Sequence, residues 1–342
     1  MNNDIILTLL DESTIEQQVL VYQSAFESTS DLKDIIERWK IKHYKNPLGQ
    51  SIIVGAFIDN QLVGINAYMP IEYHIHNEPV KMLQSCESGV LPTCQGKGIW
   101  RKIVTYALEY IDKHTDYQLV MGFPNYTNSY PGFKKMGWKT VCNMKNHVMV
   151  NNLAALKNIF ANRNFIYRFC LNGLVLQRAK TILCTRKQYH IEQTSVDNLL
   201  WNDENLNNTL ISAHSTEVLK WKQKYKHMYA VCVKVDNNIV ATGLYSFGQY
   251  ENGKIIKLEC FECAEQYQKE AKHILACILN YFTTHHPNVA FIRVWAQENT
   301  NMNSLLKQMW FASSSHPNPF IVSKPESKYA NMKWALSFFD LD

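Results

Sequence analysis

The chain has 342 residues, a formal net charge of +5, and a composition that is 46% hydrophobic and 12% aromatic. That length suggests two domains of roughly 100 to 200 residues each, with ample apolar material for packed cores. The charge is small and dispersed, which excludes the basic footprint of a nucleic-acid binder, although a mild positive bias suits anionic ligands. Nine cysteines, an odd number, point to reduced thiols in a cytoplasm rather than a disulfide framework. The amino terminus has no basic leader, and no apolar run approaches the roughly 20 residues of a spanning helix. A cytosolic protein without a membrane span is expected.

In chain order, a helix ending in Arg38-Trp39-Lys40 leads through Tyr44 to a strand over 51–58. The turn Asp59-Asn60 and the strand 62–68 complete a β-hairpin by turn chemistry and strand composition. A further strand runs over 81–90 and ends in Val90-Leu91-Pro92. After the short loop Thr93 to Gly98, the residues Ile99, Trp100, Ile103, Val104, Ala107, Leu108 and Ile111 recur at helical spacing. Glycines at the mouth of a helix let its backbone approach a ligand, and the unpaired first-turn N–H groups attract anions. The segment reads as a pyrophosphate cradle. It is not the loop of nucleotide triphosphatases, because Ile99 stands where a magnesium-holding hydroxyl is needed, and it lacks GxGxxG spacing. A strand over 117–123 follows, then Pro124-Asn125-Tyr126 and a segment reaching Phe133, Lys135, Gly137 and Trp138.

The residues Gln95, Gly96, Lys97 and Gly98, preceded by Val90 and Pro92, resemble the acyl-CoA loop of the GNAT acetyltransferase superfamily, [QR]-x-x-G-x-[GA] after a V-x-P strand end. Phe133, Lys135, Gly137 and Trp138 resemble the second half of the superfamily's Y-x-K-x-G-[FW] motif, in the right order and separation. The resemblance implies a mixed α+β fold and acetyl transfer from acetyl-CoA to a primary amine by direct attack, with no metal. It implies that Val90, Leu91, Gln95, Gly96, Lys97, Gly98, Ile99, Trp100 and Asn125 bind the donor. Backbone N–H groups at Val90 and Leu91 would take the pantetheine arm and thioester oxygen, and Asn125 would bond the pantetheine amides or cap a helix.

Glu87, on the strand entering the loop, is the expected base, with partial desolvation raising its pKa. A carboxylate among Ser337 to Asp342 is the rival, and a strand ion pair is the plain structural reading. The superfamily's acidic Tyr falls at Phe133, which has no proton to give. Tyr130 is therefore the candidate acid, with Tyr126 behind it.

The two halves echo one another. Lys220-Trp221-Lys222, Tyr225, the strands 229–235 and 239–245 around Asp236-Asn237, and Gln308-Met309-Trp310-Phe311 repeat the first half at a near-constant offset. A tandem is expected, each copy a mostly antiparallel sheet flanked by helices with a splayed strand pair. The expected domains are 1–150, acetyl-CoA-binding, and 191–342, degenerate, because Glu265 to Glu270 contain no glycine. Residues 151–190 form a helical connection, and 165–187, apolar with Arg178, Lys180, Arg186 and Lys187, offer a peripheral membrane contact.

His74 and His76 read as surface or core histidines rather than metal ligands, Cys94 as a small filler, and Trp39 and Trp221 as packing. The preferred acceptor is an amino sugar of polysaccharide or envelope assembly. A peptide, amino acid or cationic antibiotic, and a non-catalytic acyl-CoA sensor, are the alternatives. Oligomeric state is left open.

Overall fold

The computed structural model describes residues 4–152, 155, 176, 177, 179–201, 208–250, 253–314 and 316–341. Its elements in chain order are β1 (Ile6–Leu10), α1 (Ile15–Phe26), α2 (Leu32–Trp39), β2 (Ile52–Ile58), β3 (Gln61–Ile75), β4 (Glu78–Val90), α3 (Ile99–His114), β5 (Val120–Gly122), α4 (Tyr130–Lys135) and β6 (Lys139–Val150). There follow β7 (His190–Thr194), β8 (Thr209–Ser212), α5 (Thr216–Lys226), β9 (Met228–Val235), β10 (Asn238–Tyr250), β11 (Gly253–Cys263) and α6 (Ala271–His285). The chain ends with β12 (Phe291–Gln297), α7 (Asn301–Gln308), β13 (Ala312–Ser313), β14 (Asn318–Val322) and β15 (Lys333–Ala335). This is the mixed α+β fold expected from the sequence, with the largely antiparallel pairing foreseen.

The chain forms two compact units. In the first, β1, β2, β3 and β4 pair antiparallel in succession, β4 pairs β5 in parallel, and β14 pairs β5 antiparallel. In the second, β7, β9, β10 and β11 pair antiparallel, β11 pairs β12 in parallel, and β6 pairs β12 antiparallel. The two sheets have the same order and senses, which is the repeat read in the sequence. Both hairpins turn where expected, with Asp59 and Asn60, and again Asp236 and Asn237, at positive φ as a tight hairpin turn requires.

The units are not the contiguous blocks 1–150 and 191–342. The first gathers Met1–Val141, Asn208–Tyr225 and Pro319–Trp334, and the second Cys142–Asn207, Lys226–Asn318 and Ala335–Asp342. The last strand of each sheet thus comes from the other half of the sequence. Local periodicity carries no signal for such a choice, because pairing partners hundreds of residues apart are set by tertiary fit.

In the first unit, α3 covers one face of the sheet with Ile99, Ile103, Val104, Ala107 and Ile111 against Val54, Ala56 and Tyr68. Val19, Val21, Ile35 and Trp39 from α1 and α2 pack with Ile53, Ile65 and Ala67 in a second cluster. Burying aliphatic side chains of this kind is worth about 1.5–3 kcal/mol each. In the second unit, α6 supplies Ile274, Leu275, Ile278 and Phe282 to an equivalent core. No helix among the described residues is long and apolar enough to cross a membrane. Of the peripheral segment 165–187, residues 165–175 and 178 lie outside the described residues. Cys184 is in the core of the second unit, while Ile182 and Leu183 are exposed.

Candidate active site in the first unit

The loop between β4 and α3 starts from a fixed point. The Gln95 side chain donates to the carbonyl of Val90 at 3.1 Å, which folds the chain back on the strand end. Gly96 and Gly98 then adopt φ of 76° and 73°, the left-handed region that only glycine enters without cost. A Cβ built at either would meet nothing within 4 Å, so this conformation serves no internal packing. Gln95, Gly96, Lys97 and Gly98 are all exposed. Helix α3 starts at Ile99 with no side chain capping it, leaving its first-turn N–H groups to solvent or a ligand. An uncapped helix start behind two left-handed glycines is a concave set of donors for a diphosphate, so the residues present fit the diphosphate of an acyl-CoA.

Beside it the sheet opens. β4 and β5 pair only at Leu83 with Val120 and Gln84 with Met121, after which β4 runs on to Val90 beside β3 but without β5. Leu91 donates its N–H to the Val63 carbonyl at 2.9 Å. That bond corrects one expectation, since the Leu91 amide is spent within the sheet and cannot hold a ligand. By the alternation of antiparallel ladders it also turns the N–H of Val90 toward the open edge.

Register along β3 and β4 slips between Ile65 and Ala67, and Glu87 sits in this bulge with a φ of 41°. Bulges re-aim side chains, and this one brings Glu87 to a π-helical turn over Lys40–Tyr44, closed by Lys45 N–H to the Lys40 carbonyl at 3.0 Å. Lys42 bonds Glu87 Oε1, and His43 Nε2 lies 3.4 Å from Oε2. Neither His43 Nε2 nor Glu87 Oε2 makes a well-formed hydrogen bond. His43 Nδ1 is 2.9 Å from the Ser51 hydroxyl. The turn is buttressed by α5, whose Trp221 donates to the Ile41 carbonyl at 2.7 Å.

Burial acts to raise the Glu87 pKa, as expected from the sequence, but the charges of Lys42 and His43 outweigh it and hold the carboxyl below the usual carboxylate range. The expected raised pKa is therefore reversed. Lys42 and His43, which complete the site, were not singled out in the sequence. A basic pair at the end of an amphipathic helix carries no mark of the carboxylate it will meet.

On the far side, Trp100 donates to the Ser88 hydroxyl at 2.6 Å and packs edge-on against Phe133, ring centroids 4.8 Å apart. Counted from Gln95, Trp100 takes the sixth place of the acyl-CoA loop pattern, where the family has Gly or Ala. Gly132 makes room for it, as a Cβ there would fall 2.6 Å from the indole. Phe133 is buried against Trp138. Tyr130 is half-buried, its hydroxyl 2.9 Å from that of Thr140, and Tyr126 stacks on it. Asn125 Oδ1 accepts from the N–H groups of Thr127 and Asn128 at 3.0 and 3.1 Å, which closes a side-chain turn ahead of α4, whose own N-cap is Ser129.

His74 is 2.9 Å from Glu72 and His76 3.1 Å from Asn208, ordinary polar contacts. Cys94 is half-buried in the loop, and none of the described cysteines is in a disulfide. Asp340, from the carboxyl tail, accepts from the Ser337 N–H at 2.8 Å and belongs to the second unit. Asp342 lies outside the described residues.

Residues 7–141 match the model of an acetyltransferase (GNAT) domain, and they contain the glycine loop, the bulged Glu87 and the splayed strands. The first half of this chain is a GNAT domain. The solved structures extend the likeness to the whole chain. A tandem GNAT protein from the clavulanic acid biosynthesis pathway superposes with a TM-score of 0.60 at 11% identity, over 93% of this chain and 98% of that one. A GNAT protein from Anabaena variabilis gives 0.62 at 11% identity, over 93% and 72%. The N-myristoyltransferase of Saccharomyces cerevisiae with bound myristoyl-CoA gives 0.62 at 10% identity, over 94% and 83%. No curated protein matches by sequence. Over nearly its whole length the chain has the fold of these proteins, and the second unit repeats the strand order of the first.

Proposed function

We propose that the first unit transfers the acetyl group of acetyl-CoA to a primary amine by direct attack. The observation that carries this reading is the exposed cradle of Gln95 to Gly98 ahead of an uncapped helix. Bound there, acetyl-CoA supplies an activated thioester. The chain's own part is to hold the diphosphate on Gly96, Lys97, Gly98 and the first turn at Ile99 and Trp100, and to extend the N–H of Val90 toward the arm. Much of the rate comes from this side-by-side placement.

Glu87 stays ionised at neutral pH, so it acts first as an anion. Its Oε2, which makes no hydrogen bond, attracts the acceptor's ammonium, whose proton leaves to water. Tyr130 stands in for the missing acid at Phe133 and donates from its hydroxyl. Of the acceptors, we favour an amino sugar of polysaccharide or envelope assembly, on the resemblance of the plan to bacterial tandem GNAT proteins. Lys42 neutralises Glu87, so the site presents one matched ion pair rather than the acidic groove a polycationic antibiotic would need.

Thiol release from acetyl-CoA, followed with a panel of amino sugars, amino acids, peptides and aminoglycosides, tests the proposal. Turnover on amino sugars is expected. Turnover confined to peptides or cationic antibiotics would replace the acceptor, and tight binding with no turnover on any amine would refute catalysis.

A further inference from the structure

We infer that the same corner of the first unit binds a zinc ion through His43, Cys86 and Glu87. One ligand atom from each of these residues lies within 4.8 Å of the others. Two of them are left wanting a partner in a buried place. His43 is fully buried, with its Nε2 unbonded, and faces Glu87 Oε2, also unbonded. Unpaired buried polar atoms are costly, and a cation between them would satisfy both.

The remaining geometry suits a metal rather than only a proton. His43 Nδ1 meets the Ser51 hydroxyl at 2.9 Å, an outer contact of the kind that orients a ligating histidine, and binding would displace any proton on Nε2. Glu87 divides its work, with Oε1 on Lys42 and Oε2 turned to His43. Lys42 therefore need not be displaced. Cys86 directs its thiol at the Glu87 carboxylate and on binding would release that proton to solvent, forming an S–Zn bond. One imidazole, one thiolate and one carboxylate favour zinc over magnesium or calcium and leave a fourth position open. Ligand atoms around tetrahedral zinc lie roughly 3.5 Å apart, so the widest pair has to close by roughly 1 Å.

The thiolate and carboxylate together balance the ion's charge. Because Oε2 is the atom proposed to receive the amine, zinc would act as an inhibitor of acetyl transfer. That consequence rests on the proposed function, whereas binding itself does not.

The experiment is a cobalt titration of the full chain without donor or amine, followed by zinc competition. A near-ultraviolet thiolate-to-cobalt band is expected, with protons released on binding, zinc displacing cobalt, and magnesium leaving it in place. Cys86→Ser should abolish the band and weaken zinc binding by at least about tenfold, while Cys94→Ser keeps both. Absence of the band, its persistence in Cys86→Ser, or equal competition by magnesium would overturn the site. Should His43→Ala fail to fold, Ser51→Ala is the milder variant and is expected to weaken zinc about tenfold. Zinc that binds as described yet leaves acetyl transfer unchanged would overturn the role given to Glu87 Oε2 instead.

Discussion

The two units carry the same loop to different ends. In the first, Gln95 anchors on the carbonyl of the strand-end Val90, and in the second Gln268 does the same on Cys263 at 2.7 Å. After that shared anchor, Gly96 and Gly98 open a cradle, whereas Glu265–Glu270 wind into a 3-10 helix that runs straight into α6. The strand bulges diverge in the same sense. Glu259, in the bulge of the second sheet, is 2% exposed and spends one oxygen on Ser246 and the other on Lys226. Glu87 retains an unbonded oxygen and a side chain that is 13% exposed. The anchor and the bulge are common to both folds, while the glycines and the unsated carboxylate are what the proposed chemistry would use. A fold can keep its architecture after both have been closed.

That contrast can be broken at each point. The largest effect is expected at the carboxylates. Glu87→Gln should lower turnover about 100-fold with acetyl-CoA affinity unchanged, whereas Glu259→Gln should spare turnover and cost about 3 kcal/mol of stability by stranding buried Lys226. Steady-state kinetics beside chemical denaturation separates the two, and equal kinetic losses would erase the distinction.

Next comes the cradle. Gly96→Glu places a carboxylate at a left-handed position within the donor set and should weaken acetyl-CoA by about 100-fold, or about 2.7 kcal/mol. Lys269→Glu, in the corresponding loop, should change it less than about twofold. A fluorescence titration of both variants decides.

Lys42→Met addresses the sign of the Glu87 shift. Native Glu87 is held below its ordinary value of 4.5, so its contribution to stability is fully present above that value and fades as pH falls through the lower native one. Without Lys42 the carboxyl should titrate at higher pH, moving the acid limb of turnover upward and costing about 3 kcal/mol at neutral pH. An unmoved acid limb would mean that Glu87 does not govern it. The smallest effect is expected for Tyr130→Phe, a loss of about tenfold in turnover, since water can protonate a departing thiolate. No loss would remove Tyr130 from the reaction.

Much of this was legible in the sequence where local rules decide the outcome. The apolar spacing over 99–111 gave α3, Asp59-Asn60 and Asp236-Asn237 gave the hairpins, and the glycines of 95–98 gave the cradle, because each reflects a backbone requirement of a few residues. The exchange of β6 and β14 was not legible, since pairing across the whole chain leaves no local trace. Nor was the company of Glu87. Its bulge and burial could be suspected from Cys86, Ser88 and Val90, but the charges that reverse its pKa sit on a π-helical turn some 45 residues earlier. Leu91 failed for a simpler reason, as its N–H falls on the paired side of the ladder.

The most direct test of the whole account is calorimetric titration of the native chain with acetyl-CoA. One molecule bound per chain, with affinity about 100-fold weaker in Gly96→Glu and retained in Lys269→Glu, is the predicted result. Two molecules per chain, none, or an affinity unchanged in Gly96→Glu would contradict it.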